Sequence, residues 1–225
     1  MNYMHELIFG YYPYVALSVF LLGSLIRFER DQFTWKSQSS QFLRTANMRL
    51  ASNLFHVGIL LLFFGHLFGL LTPPAVYHAL GLSTETKQLL AIIVGGIFGI
   101  ICFIGLTMLL HRRLTDPRIQ ATSSRADNFI LILLYVQLIL GLITLPISMT
   151  HLDGANMVAL ASWAQHIVTF QSGAAALIAD TNWIFKLHIF LGLTLFLVFP
   201  FTRLVHVWSA PVSYLGRTYQ LVRKR

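Results

Sequence analysis

The sequence has few charged residues and only one cysteine. Of its 225 residues, 11% are charged and 56% are hydrophobic, and the mean hydropathy is +0.69. A soluble protein of this length cannot bury so much apolar surface, so lipid is expected to be the main solvent. Cys102 has no second cysteine to pair with, which excludes an internal disulfide and a cysteine-ligated iron–sulfur cluster within this chain. Any such cluster must belong to a partner.

Five long apolar stretches predict an all-α integral membrane protein. A spanning helix needs roughly 20 apolar residues, and the stretches cover residues 7–28, 50–71, 88–110, 126–148 and 183–208. The alternating strands of a membrane barrel are missing from the sequence, and helices satisfy their backbone groups internally. We therefore expect a single transmembrane domain over residues 1–225, a five-helix bundle with segment 149–182 lying over its outer end. The first stretch lacks a signal-peptide pattern and is expected to remain as the first span.

The basic residues are concentrated on one side of the expected bundle. A formal charge of +8 can indicate nucleic-acid binding, but this distribution is typical of membrane topology, and no nucleic-acid partner is expected. The opposite side has only Lys87 and, just inside the fifth span, Lys186. The positive-inside rule therefore places the N-terminus outside and the C-terminus in the cytoplasm. The basic side comprises Arg27, Arg30, Lys36, Arg44, Arg49, Arg112, Arg113, Arg118, Arg125, Arg203, Arg217, Arg223, Lys224 and Arg225.

Four histidines lie within or at the edge of the second and fifth spans, where ionisable groups are rare and usually mark function. They are His56 and His66 in the second span and His188 and His206 in the fifth. The other five lie near span ends or in loops, where a solvated imidazole costs little, and we assign them no role. These are His5, His78, His111, His151 and His166.

Antiparallel geometry predicts that the four histidines form two pairs at two depths. His56 lies level with His206 near the inner end, and His66 lies level with His188 near the outer end. A haem iron held by two neutral imidazoles suits each pair, so we expect two bis-histidine b haems. The sequence has no C-x-x-C-H attachment motif, so covalent haem is excluded. Zinc fits less well because two histidines do not complete a tetrahedral site.

Small residues flank the histidines and leave space for a flat cofactor. Gly58, Gly65 and Gly69 lie in the second span, and Gly192 follows His188 by one turn. The alternative interpretation of Gly65 and Gly69 is a small-xxx-small contact between helices.

The spacings of the two pairs do not match. At about 1.5 Å of rise per residue, His56 and His66 are roughly 15 Å apart along their helix, whereas His188 and His206 are roughly 27 Å apart. Pro200 lies between the latter two, and a bend there is expected to absorb part of the difference.

Six motifs are spread along the chain: Tyr12-Pro-Tyr, Gln32-Phe-Thr-Trp, Ala51-Ser-Asn-Leu-Phe-His-Val-Gly, Gly65-His-Leu-Phe-Gly, Leu71-Thr-Pro and Phe199-Pro-Phe-Thr-Arg-Leu-Val-His-Val-Trp. With these motifs the chain resembles the gamma subunit of respiratory nitrate reductase over essentially its full length. The resemblance implies five membrane helices, an outside N-terminus, two b haems and a place in the bacterial inner membrane. It also implies that quinol is oxidised near the outer haem and that electrons leave the inner haem for an iron–sulfur subunit. That partner feeds a molybdenum catalytic subunit, which reduces nitrate.

By the same resemblance, the quinol site involves His66, Gly65 and Lys87. The chain departs from the family pattern at Pro74 and by one additional residue in the loop 74–86. Lys87 is the only basic residue in the outward loops, and its ammonium can donate a hydrogen bond to a quinol oxygen. The alternative is that Lys87 only anchors a helix end at the membrane interface.

We expect quinol protons to be released outside and electrons to leave through the cytoplasmic face. Arg203, three residues before His206, is the expected contact of a haem propionate. Trp35, Trp208 and the tail 214–225 are candidate docking surface for the partner subunits.

Two other functions compete with this interpretation. The first is the cytochrome b subunit of another quinone-linked oxidoreductase, which genomic neighbours would distinguish. The second is a haem-free anchor or transporter. A transporter is expected to contain intramembrane carboxylates, broken helices or an inverted repeat, and the sequence shows none of these.

Overall fold

The structure of the chain is a computed structural model, and it describes residues 3–37, 39–40, 42–210 and 216. Within these residues every secondary-structure element is helical, and five helices are long and apolar enough to cross a membrane. The prediction of an all-α protein with five spans is therefore confirmed. The spans are α1, Tyr3–Arg30; α2, Met48–Leu71; α3, Thr84–Thr115; α4, Arg125–Met149; and α5, whose α-helical part is Trp183–Val198.

Side-chain caps explain where several helices begin. Ser83 accepts a hydrogen bond from the Thr86 amide at the start of α3, and Asn182 accepts one from the Ile184 amide at the start of α5. Ser124 and Asp127 form a capping box at the start of α4, which satisfies backbone groups that the helix leaves free. The third helix is longer than the predicted 88–110 because it continues to polar caps beyond its apolar part.

The expectation of one helix over residues 183–208 is wrong at its C-terminal end. The α-helix ends at Val198, a 3-10 turn spans Phe199–Phe201, Thr202 is extended, and a second 3-10 helix spans Arg203–Ser209. Pro200 lacks the N–H that a continuing α-helix needs. The 27 Å expected from an unbroken α-helix therefore does not apply, and His206 follows the span instead of lying within it.

The helices pack in the order α2, α3, α4, α5, α1. Two glycines bring α2 and α3 close together: Gly58 lies against the backbone and side chain of Cys102, and Gly105 lies against the α2 backbone at Phe55 and Ala51. α3 and α4 separate α2 from α5 in this order, but the side chain of His66 on α2 still reaches that of His188 on α5.

The connecting segment between α4 and α5 covers one end of the bundle, as the sequence predicts. Its main helix, Ala155–Val168, is tied to α1 by the indole of Trp163, which donates to the Phe9 carbonyl at 2.9 Å. The Gln165 amide donates to the Leu70 carbonyl near the end of α2, also at 2.9 Å. We call this the N-terminal end of the bundle, because α1 begins there.

The opposite end of the bundle, which we call the basic end, contains the loops that follow α1 and α3. Arg112 donates to the Ser40 carbonyl at 2.7 Å, and Arg44 pairs with Asp116 at 3.2 Å. These contacts join the two basic loops that the sequence places on the same side.

Candidate functional site

The imidazole rings of His66 and His188 face each other, with centroids 6.1 Å apart and ring planes at 38°. An imidazole nitrogen binds a metal ion at about 2 Å. Two imidazoles on opposite sides of one ion therefore have ring centroids roughly 6 Å apart. The structure thus brings together the pair that the sequence predicts for the outer cofactor, at a separation that suits a shared iron.

Three of the four histidines have a fixed tautomer. The Nδ1 atoms of His56 and His66 lie 2.7 Å from the carbonyl oxygens of Ser52 and Leu62, and His206 Nδ1 bonds the Arg203 carbonyl. A carbonyl oxygen can only accept, so each Nδ1 donates its proton, and Nε2 is then the nitrogen that has a lone pair in the neutral imidazole. This is the arrangement of metal-binding histidines, in which a bond at one nitrogen orients the other.

The fourth histidine, His188, has a buried Nδ1 without a hydrogen-bond partner. Gln137 on α4 holds its backbone, donating to the His188 carbonyl at 2.9 Å, and its amide nitrogen lies 3.4 Å from His188 Nε2. Gly141, one turn further along α4, lies against the ring, so an added Cβ would be 3.0 Å from His188 Cε1. Sequence reasoning missed Gln137 and Gly141, although a glutamine within an apolar span is itself a signal.

The second predicted pair, His56 and His206, has no ring contact like that of His66 and His188 among the described residues. Burial lowers the pKa of the His206 imidazole, the hydrogen bond to the Arg203 carbonyl opposes this shift, and the positive charge of Arg203 lowers the pKa further. Burial and the neighbouring positive charge both favour the neutral imidazole, which is the form that binds iron.

The glycines near the histidines differ in how much free space surrounds them. A Cβ added at Gly65 or Gly69 would meet nothing within 4 Å, whereas one at Gly192 would lie 3.2 Å from the Gln137 amide. Gly65 and Gly69 therefore leave room beside His66 for a flat group. Gly58 does not, because it packs against Cys102, so its assignment to cofactor space is wrong and it is a helix contact.

The contact between His66 and His188 fits a site with two protein ligands. Among the residues that the structure describes, no three His, Cys, Asp or Glu side chains come together as a metal-binding group. Pairs of imidazoles from facing helices suit a haem iron, whose porphyrin supplies the remaining ligands.

Lys87 lies in the first turn of α3, and its ammonium binds the end of α2, about one turn beyond His66. Its ammonium donates to the Gly69 carbonyl at 3.0 Å, lies 3.5 Å from the Thr72 carbonyl, and sits 4.1 Å from the centre of the Tyr77 ring. Pro74, where the chain departs from the family pattern, begins the short helix Pro74–Ala79 that contains Tyr77, at a position that proline favours. The loop therefore accommodates Pro74 and positions Lys87.

A cavity of about 360 Å³ opens beside the same helix end, between α2 and the connecting helix. Leu71, Pro73, Gln165, His166 and Thr169 line part of it. His166, to which the sequence assigns no role, has a buried Nδ1 without a hydrogen-bond partner.

The expected propionate contact, Arg203, has protein partners. Its guanidinium donates to the Ser37 carbonyl, and its Nε lies 4.0 Å from a carboxylate oxygen of the buried Asp127. Of the expected docking residues, Trp35 donates to the Ser209 hydroxyl at 2.7 Å and Trp208 packs against Phe20. The remaining predicted docking segment, the tail 214–225, lies outside the described residues apart from residue 216.

One family model and two bacterial relatives match nearly the whole chain, and an archaeal relative matches half of it. The family model described as nitrate reductase gamma subunit matches residues 5–225. The respiratory nitrate reductase 1 gamma chain of Escherichia coli (strain K12) is 51% identical over 225 residues, which cover 100% of both chains. The nitrate reductase gamma chain of Bacillus subtilis (strain 168) is 37% identical over 220 residues, or 98% of each chain. The Hdr-like menaquinol oxidoreductase cytochrome b-like subunit of Archaeoglobus profundus is 30% identical over 117 residues, which cover 50% of this chain and 33% of that one.

Proposed function

The chain belongs to the nitrate reductase gamma subunit family, and from this premise we propose that it oxidises membrane quinol and carries the electrons to an iron–sulfur partner. As a gamma chain it is a multi-pass membrane subunit of a quinol:nitrate oxidoreductase complex, in which another subunit reduces nitrate. The proposal concerns its internal chemistry: two b haems, their ligands, the quinol site and the direction of proton release.

The basic end of the bundle is proposed to face the cytoplasm, with the N-terminus of the chain outside. Arg44 and Arg112 join the two basic loops at this end, which supports a single basic face. Retention of basic loops in the cytoplasm then gives the orientation. In this orientation Trp35 and Trp208 lie on the side where the iron–sulfur subunit and the molybdenum subunit dock.

His66 and His188 are proposed to hold the outer haem, and His56 and His206 the inner haem. The observation that carries this proposal is the 6.1 Å between the ring centroids of His66 and His188, together with the Nδ1 hydrogen bonds of His56, His66 and His206 to backbone carbonyls. When bound, each haem supplies a one-electron centre, and the pair connects the quinol site with the iron–sulfur partner. Gly65, Gly69 and Gly141 leave the ligand rings free of side-chain crowding.

Quinol is proposed to bind beside His66, Gly65 and Lys87. The Gly69 carbonyl holds the Lys87 ammonium in place, from where a remaining N–H can donate to a quinol oxygen. Oxidation of one quinol to quinone releases two electrons and two protons. The electrons pass through the chain to the iron–sulfur partner at the basic end, and the protons leave at the N-terminal end, so that charge separates across the membrane.

A second candidate function is the cytochrome b subunit of a different quinone-linked enzyme. The observation in its favour is the partial similarity to the archaeal menaquinol oxidoreductase subunit. The two functions share the haem and quinol chemistry and differ in the docked partner. Neighbouring genes that encode iron–sulfur and molybdenum subunits are the result expected for nitrate reductase.

The deciding experiment is a haem count on the complex purified in detergent from haem-replete cells. We expect a pyridine haemochrome assay to give two b haems per chain and difference spectra to show that a quinol analogue reduces both. A preparation with no haem would overturn the proposal and leave a structural anchor as the function. A single haem would overturn the two-pair assignment.

A further inference from the structure

A buried carboxylate at the start of α4 connects three separate parts of the basic end. Asp127 is only 3% exposed. One of its oxygens lies 4.0 Å from Arg113 Nη1 at the end of α3, and the other lies 4.0 Å from Arg203 Nε in the 3-10 helix after α5. The capping box with Ser124 fixes the carboxylate itself. The quinol and haem chemistry described above assigns Asp127 no role.

The connection continues from Asp127 to a proposed haem ligand. Arg203 is the first residue of the 3-10 helix, and its carbonyl oxygen accepts the hydrogen bond from His206 Nδ1. Val205, between the two, is fully buried. The Arg203 carbonyl orients the His206 imidazole, so a displacement of Arg203 also displaces the hydrogen-bond acceptor of that ring. Val205 packs the short helix against the bundle between these two residues.

The carboxylate of Asp127 lies between two cationic groups. The buried guanidinium of Arg113 and the partly buried guanidinium of Arg203 each lie 4.0 Å from one of its oxygens. Removing one partner from a buried ion pair leaves the remaining charge uncompensated. Without the carboxylate, the net charge of the cluster rises by one. In a low-dielectric interior this added positive potential favours the reduced form of a nearby redox centre.

We propose that Asp127 is a positioning residue for the inner haem, acting through Arg203 on the ligand His206 and setting the reduction potential of that haem. This inference rests on the proposed function, since it takes His56 and His206 as the ligands. It predicts an electrostatic effect on one haem only, because the contacts of Asp127 lead to His206 and not to the His66–His188 pair.

The test is a redox titration of both haems in the purified complex, with electron paramagnetic resonance of the ferric low-spin signals. In Asp127→Asn, which keeps the shape and removes the charge, the potential of the inner haem is expected to rise and its signal to shift. Asp127→Glu, which restores the charge, is expected to return the potential toward that of the wild type. Asp116→Asn is the matched control, because Asp116 is also paired with an arginine at the basic end, and it is expected to leave both haems unchanged.

The possible outcomes separate this inference from the proposed function. A wild-type complex with fewer than two haems overturns the proposed function. A wild-type complex with two haems, together with an Asp127→Asn complex whose potentials and signals are unchanged, overturns only the role of Asp127. If Asp127→Asn yields no folded complex, Arg203→Lys breaks the same link from its other side. An altered inner-haem signal in that variant supports the inference, and a wild-type signal overturns it.

Discussion

Gly58 on α2 lies directly against Cys102 on α3, so closely that a Cβ added to the glycine would be 2.6 Å from the Cys102 Cβ atom. Cys102 is fully buried at this crossing. Gly105, almost one turn beyond Cys102, makes the reciprocal approach to the α2 backbone at Phe55. These two contacts set the position of α2 relative to the rest of the bundle. Since α2 contributes a histidine to each proposed haem, the helix crossing also determines the geometry of both sites.

Replacing Gly58 by alanine is expected to destabilise the protein. The added methyl group meets backbone as well as side-chain atoms of Cys102, and overpacking of this kind costs about 1–3 kcal/mol. Thermal unfolding followed by circular dichroism in detergent measures the effect. Gly95→Ala is the matched control, because an added Cβ on this α3 residue meets nothing within 4 Å. Equal unfolding midpoints for the two variants would contradict the proposed role of the crossing.

Alanine replacements of the four histidines are expected to fall into two groups. His66→Ala and His188→Ala should each remove the same haem, and His56→Ala and His206→Ala should each remove the other, because one imidazole leaves an iron without its opposite ligand. Reduced-minus-oxidised spectra and a haemochrome count provide the measurement. His111→Ala, at an exposed position, should retain both haems. Survival of the outer-haem signal in both His66→Ala and His188→Ala would refute the pairing.

Lys87→Met is expected to weaken the use of quinol by about tenfold or more, since a hydrogen bond from a charged group contributes about 1.5–3 kcal/mol. The measurement is the KM for a quinol analogue in the purified complex. Lys186→Met is the control, because the Lys186 ammonium also donates to a backbone carbonyl at the same end of the bundle, that of Ala179 at 2.5 Å. Because Lys87 also binds the end of α2, the unfolding midpoint is measured in parallel. A lowered midpoint with an unchanged KM would mean that Lys87 has only a structural role.

Arg27→Gln is expected to destabilise the break that follows α5. The guanidinium donates to the carbonyls of Pro200 at 2.6 Å, Thr202 at 2.8 Å and Thr34 at 2.9 Å. Hydrogen bonds from a charged group contribute about 1.5–3 kcal/mol each, and the carbonyls of Pro200 and Thr202 lie just before the 3-10 helix that contains His206. We expect a lower unfolding midpoint and partial loss of the inner haem.

The control for Arg27 is Arg30→Gln, an exposed arginine at the end of the same helix. It should retain the stability and the haem content of the wild type. If both variants behave like the wild type, the hydrogen bonds of Arg27 do not hold the break.

The membrane spans and the candidate ligands could be predicted from the sequence, because both depend on local composition. An apolar run of the required length crosses a bilayer whatever its neighbours are. A histidine within such an apolar run can likewise be recognised from the sequence alone. Because the second and fifth helices are antiparallel, His66 and His188 are the histidines that lie at the same depth near the outer end.

The contacts between distant segments could not be predicted from local patterns. Gly58 and Gly65 look alike in the sequence, yet one packs against Cys102 and the other faces open space. Nothing in the apolar character of residues 183–208 shows where the α-helix ends. Pro200 marks a weak point, but two hydrogen bonds from Arg27 stabilise the break there, and that residue lies about 170 positions earlier in the chain.

The sequence alone thus determined the number of spans, the basic side of the bundle and the four histidines, because hydrophobicity and charge act residue by residue. Tertiary structure alone decided that the His66 and His188 rings lie 6.1 Å apart, that Lys87 binds the end of α2, and that Asp127 contacts Arg203. These relationships depend on how the helices cross, and each crossing depends on close contacts between residues that are far apart in the chain.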